Sequence, residues 1–138
     1  MGAQQQQMTK YGFSRTVKIP FDEAIEKIRV ALKAEGFGVL SEIDIKDKLK
    51  EKLDVDFRRY TILGACNPSL AYKTLQEELE IGLLLPCNVI VYEADDNNKS
   101  VVSAVDAKAM LSVVGNNEIL DQVASEVNER LQRVISNI

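Results

Sequence analysis

Apolar and polar positions along the chain switch repeatedly between two periods. Residues 11–19 alternate, with Phe13, Arg15, Val17 and Ile19 on one side and Ser14, Thr16 and Lys18 on the other. That is the pattern of a half-buried strand, with Arg15 interrupting its apolar side. Pro20 ends the run and pre-sets the backbone for a helix. From 21 to 35, Phe21, Ala24, Ile25, Ile28 and Leu32 recur at helical spacing, and Gly36 closes the element. Residues 37–45 predict a second strand, with Phe37, Val39 and Leu40 as its apolar content. Asp44 then caps a polar helix over 45–53, whose Ile45, Leu49 and Leu53 occupy one narrow edge. Its mixed charges read as a solvated face, which makes it a surface element or lid.

Residues 57–65 predict a third strand, with Phe57, Ile62 and Leu63 as candidates for burial. Asn67 is a good N-cap and Pro68 fits the first helical position, opening a helix over 69–80 that presents Leu70, Ala71, Leu75 and Leu79 to the core before Gly82 ends it. Residues 87–93 are rich in β-branched side chains with little polar content, which predicts a central strand. The turn cluster at 95–98 returns the chain into a hairpin partner over 101–105. A short turn or helix follows over 106–113. Asn116 or Asn117 caps a last helix running to about Val134, with Ile119, Leu120, Val123, Val127, Leu131 and Val134 on one side. Residues 1–10, with four consecutive glutamines, read as a disordered leader or expression remnant, and Met8 is an alternative start. The order β-α-β-α-β-α-β-β-α over 11–138 predicts a single α+β domain. Its sheet is expected to be mixed but mostly antiparallel, of about five strands, with helices mainly on one face.

Composition narrows the functional classes. A chain of 138 residues, 46% hydrophobic and 28% charged, has the make-up of an ordinary globular domain that folds without disulfide or metal. The net charge of −4 argues against nucleic-acid binding. The longest nearly uncharged run, residues 81–92, contains Pro86 and is too short to span a bilayer. Two cysteines without a secretory signal predict free thiols in a reducing, cytoplasmic setting. The chain has no histidine, which excludes Ser-His-Asp and Cys-His catalysis and the histidine-based zinc sites.

The chemistry that remains gathers in residues 64–93. Both cysteines lie there, each followed by an asparagine and each within two positions of a proline: Cys66-Asn67-Pro68 and Pro86-Cys87-Asn88. Cys66 stands at a strand end just before a helix N-terminus, where free amides and the helix dipole are expected to lower a thiol pKa below about 8.5. Against this stands the plainer reading, in which Cys66 is a small packed residue. The spacing of the two cysteines fits neither a CxxC redox motif nor a zinc finger. A two-thiolate site for a soft ion such as Cu(I) is chemically open. Parallel strands would hold the thiols more than about 20 Å apart, whereas antiparallel strands would bring both to one end of the sheet. Asn67 and Asn88 are candidates to orient a ligand. Glu93, at the far end of the second cysteine's strand, is a candidate general base.

On these residues the chain resembles domain-of-unknown-function family 302, from about Tyr11 to Ile135. The carriers are Glu35-Gly36-Phe37-Gly38-Val39-Leu40, Leu63-Gly64-Ala65-Cys66-Asn67-Pro68 with Ala71, Ile81-Gly82-Leu83-Leu84-Leu85-Pro86-Cys87-Asn88-Val89 with Tyr92-Glu93, and Val105-Asp106-Ala107 with Met110. The family often has proline where Ala107 stands, a departure that touches the turn there and not the cysteines. The resemblance implies a compact α+β homodimer in which both Cys-Asn pairs belong to one pattern, and it implies no reaction. Three readings follow. The first is a dimeric binding domain holding a small ligand or soft metal ion among Cys66, Asn67, Cys87 and Asn88, the metal on Cys66 and Cys87. The second is an enzyme or redox protein using Cys66 as a thiolate, with Glu93 as base. The third is a structural or interaction protein in which the cysteines only pack.

Overall fold

The computed structural model describes residues 6–96 and 98–138. Its strands are β1 (Gln7–Met8), β2 (Gly12–Val17), β3 (Gly38–Asp44), β4 (Tyr60–Cys66), β5 (Cys87–Glu93) and β6 (Ser100–Val105). Its helices are α1 (Phe21–Ala34), α2 (Ile45–Leu53), α3 (Pro68–Glu77), α4 (Ala107–Leu111) and α5 (Glu118–Ser136), with 3-10 turns at Leu79–Leu84 and Ser112–Val114. The strands form one sheet in the order β1-β2-β6-β5-β4-β3, and every neighbouring pair is antiparallel. The protein is thus a single α+β domain in the expected element order. The sheet is wholly antiparallel rather than mixed, and its sixth strand is the two-residue β1.

That extra strand lies inside the expected leader. Gln7 and Met8 pair with Ser14 and Phe13, and Gln6 Nε2 donates to the Gln132 carbonyl at 2.9 Å. Residues 1–5 of the leader, and Asn97 of the turn cluster, lie outside the described residues.

Side-chain alternation makes one face of the sheet the core. Phe13, Val17, Leu63, Ala65, Cys87, Val89, Val91, Val102 and Ala104 are buried on it. Against it pack the stripes of α1 (Ala24, Ile28, Leu32) and α5 (Val127, Leu131, Val134). The opposite face stays partly open, with Ile62, Ile90 and Val101 half-buried and Asn88 exposed. Arg15, the interruption in the first strand, donates to the carbonyls of Ile135, Ser136 and Ile138 and so closes the C-terminal end of α5.

Three expected core residues are exposed. α3 ends at Glu77, and Glu78 turns to an extended conformation, so Leu79 falls out of helical phase to 83% exposure while Ile81 takes the core position. Phe57 precedes the strand, which begins only at Tyr60, and rests against the Tyr60 ring. Ile119 sits in the first turn of α5 at 43% exposure, while its neighbour Leu120 takes the core position.

Candidate functional site

The direction of β4 against β5 decides where the thiols stand. The two strands are antiparallel, with Ala65 opposite Cys87 and Gly64 opposite Asn88. Both cysteines therefore lie at the same end of the sheet, and both thiols are free. Strict alternation would send Cys66 to the face opposite Ala65 and Cys87. At this last position of β4 it nevertheless borders the same cavity as Cys87.

The cavity has a volume of about 30 Å³ and lies beneath the ends of β4 and β5, under α3, α4 and α5. Phe37, Leu70, Leu111 and Val127 supply much of its apolar wall. That volume admits about one water molecule or one ion and excludes an organic ligand unless the walls move. Two side-chain oxygens at its edge are engaged. Asn67 Oδ1 accepts from the Leu70 amide at 3.2 Å, as the N-cap of α3, and Thr74 Oγ1 donates back to the Ala71 carbonyl at 2.7 Å. Among the described residues, no aspartate, glutamate, lysine or arginine lines it. Among the described residues, no group of three or more Cys, Asp and Glu comes together as a metal centre.

The electrostatics run against an activated thiolate. Burial pushes the Cys66 thiol up. Burial, with the neighbouring Cys66, lifts Cys87 to about 11. The expected lowering at the helix start is overturned: Asn67, not the cysteine sulfur, takes the free amide of the first turn, and desolvation penalises the anion.

Tight local packing holds this end of the sheet. A Cβ on Gly64 would meet the Ser41 hydroxyl and would lie 2.8 Å from Pro86 Cγ, so the absence of a side chain lets the Pro86-Cys87 segment seat against β4. Gly36, at φ +83°, lies beneath Asn67, where an added Cβ would stand 3.0 Å from Nδ2.

The remaining predicted site residues are elsewhere. Asn88 is exposed, pairs with Gly64 and does not border the cavity. Glu93 stands six residues up β5, about 20 Å from Cys87. There its Oε1 accepts from the Arg59 amide at 3.2 Å and its carbonyl accepts from Arg58 at 3.0 Å. Glu93 closes the far end of the sheet and cannot serve the thiols as a base.

One polar pair, a buried aspartate and a half-buried asparagine, has no obvious mark as a pair in the sequence. Asp106, 9% exposed, caps α4: its Oδ1 accepts from the amides of Lys108 and Ala109 and from Asn128 Nδ2. Asn128 Oδ1 accepts in turn from the Ala107 amide at 2.7 Å. The signal was an Asp ahead of a short apolar run; its partner, 22 residues on in α5, leaves no local trace. The pair pins α4, and with it Met110, against the cavity.

Fold and site together define a small α+β domain with an antiparallel six-stranded sheet and a two-thiol cavity at one sheet end. The profile of the domain of unknown function DUF302 matches residues 13–138, and the chain belongs to that family. The crystal structure of an uncharacterized conserved DUF302 protein from Bacillus stearothermophilus superposes with a TM-score of 0.82 at 31% identity, covering 94% of this chain and 98% of that one. No curated protein matches.

Proposed function

We propose that the domain binds a soft monovalent metal ion through the thiolates of Cys66 and Cys87, in a reducing compartment where those thiols stay free. The observation that carries the reading is one small, partly open, apolar cavity of about 30 Å³ bordered by both cysteines. A volume that small favours a single ion over the small organic ligand that the sequence left open. The raised thiol pKa values count against a thiolate enzyme, because a nucleophile needs the anion at neutral pH. They leave metal binding open, since an entering Cu(I) displaces the thiol protons and the affinity rises with pH.

The same proposal includes self-association. Support comes from the apolar side chains left exposed on β3, α2 and the following loop: Leu40, Ile43, Leu53, Val55 and Phe57. Anaerobic titration with Cu(I) against a chromophoric chelator tests the metal. Uptake by the native protein, lost in Cys66→Ser and Cys87→Ser variants that remain folded, supports the reading. The competing reading, in which both cysteines merely pack, is favoured by the burial of Cys87. It predicts no uptake, and it predicts that Cys87 is alkylated only on unfolding.

A further inference from the structure

We propose that Met110 is the third ligand of this site, giving Cu(I) a three-sulfur environment made by Cys66, Cys87 and Met110. The inference rests on the two-thiol reading above. The chain holds two cysteines and three methionines, and both cysteines and Met110 border this one small cavity. Met8, by contrast, is 67% exposed on β1. A thioether is soft and uncharged, and it belongs with thiolates in the ligand set that selects Cu(I).

Met110 is also held in place. Its amide donates to the Asp106 carbonyl at 3.0 Å, and Asp106 is locked by Asn128 from α5. The flanking Ala107 and Leu111 are buried, so α4 cannot roll without losing core contacts. The oxygen atoms that might compete as ligands are engaged: Thr74 bonds back into its own helix and Asn67 caps α3.

The charge balance favours a neutral third ligand. Cu(I) enters as a monocation, each thiol gives its proton to solvent, and the bis-thiolate complex keeps one net negative charge. A third thiolate would add another charge to an apolar wall, whereas a thioether adds none.

The test uses the full chain under anaerobic conditions, with Cu(I) as the probe for X-ray absorption and affinity and Ag(I) as the probe for NMR. Copper-edge absorption is expected to report three sulfur neighbours in the native protein and two in Met110→Leu, a swap of similar volume. Affinity is expected to fall at least about tenfold in that variant. On methyl-labelled native protein, which needs no substitution, Ag(I) is expected to shift the Met110 methyl resonance and leave Met8 in place. If Met110→Leu keeps the affinity and sulfur count of the native protein while both cysteine variants lose uptake, Met110 is only a wall residue and the two-thiol reading stands without it. If the native protein takes up no Cu(I), the two-thiol reading itself fails and this inference falls with it.

Discussion

At the scale of single residues, the cysteines behave as desolvated thiols. An unfolded cysteine titrates near about 8.5, whereas burial in the fold raises Cys66 and lifts Cys87 to about 11. The folded pKa lies above the unfolded one, so folding favours the protonated form. This stability is fully present below about pH 8.5 and is lost as pH rises towards about 11. The thermal midpoint of the native protein should therefore fall through that alkaline window, and the fall should be shallower in Cys87→Ala. Alkylation at neutral pH should be slower than for a free thiol at both positions, and slowest at Cys87. Gly64 makes a separate prediction. A Cβ there drives into Ser41 and Pro86, so Gly64→Ala should lower stability by about 1–3 kcal/mol, read from the urea midpoint. The sequence marked Cys66, Asn67 and Cys87, because unusual residues recur in one stretch. It misled on Asn88 and Glu93, because being next in sequence to a cysteine, or on the same strand, says nothing about face or distance once a strand alternates and extends.

At the scale of elements, local signals were faithful. Asp44, Asn67 and Asn117 cap the helices that their positions predicted, and α2 runs over Ile45–Leu53 as read. Caps and periodicity are short-range, so a single sequence carries them. The end of α3 was lost because a 3-10 turn follows directly, and its apolar residues prolong the helical pattern past the true terminus. α4 is the element whose place depends most on a distant partner. Asp106→Ala removes its cap and leaves Asn128 Nδ2 without its acceptor, which should cost about 1–3 kcal/mol in chemical denaturation. With α4 loosened, Met110 loses its fixed place at the cavity, so Cu(I) affinity should fall in the same variant even where the fold survives.

At the scale of the whole molecule, the core is one layer of helices on one sheet face. Leu131 lies at its centre with no exposed surface, and Leu131→Ala should cost about 2–5 kcal/mol at equilibrium. The α+β class and element order were legible because each element carries its own period. The strand order was not, since pairing β2 with β6 and β4 with β5 joins segments that only the folded chain brings together. The β4–β5 pairing was also the fact on which the site turned: read parallel, it would have parted the thiols by the length of the sheet. The apolar side chains exposed on β3, α2 and the loop after it predict self-association. Sedimentation at micromolar concentration should give a particle of twice the 15.4 kDa chain mass, and a monomer would remove that part of the proposal.

The central claim is that Cys66 and Cys87 act together on one ion at the end of that sheet. It is tested most directly by anaerobic Cu(I) titration of the native protein beside Cys66→Ser and Cys87→Ser. Saturable uptake of about one ion per chain is expected, lost or sharply weakened in each single variant because both thiolates are needed. Absence of uptake by the native protein, or uptake that survives removal of either cysteine, would contradict it.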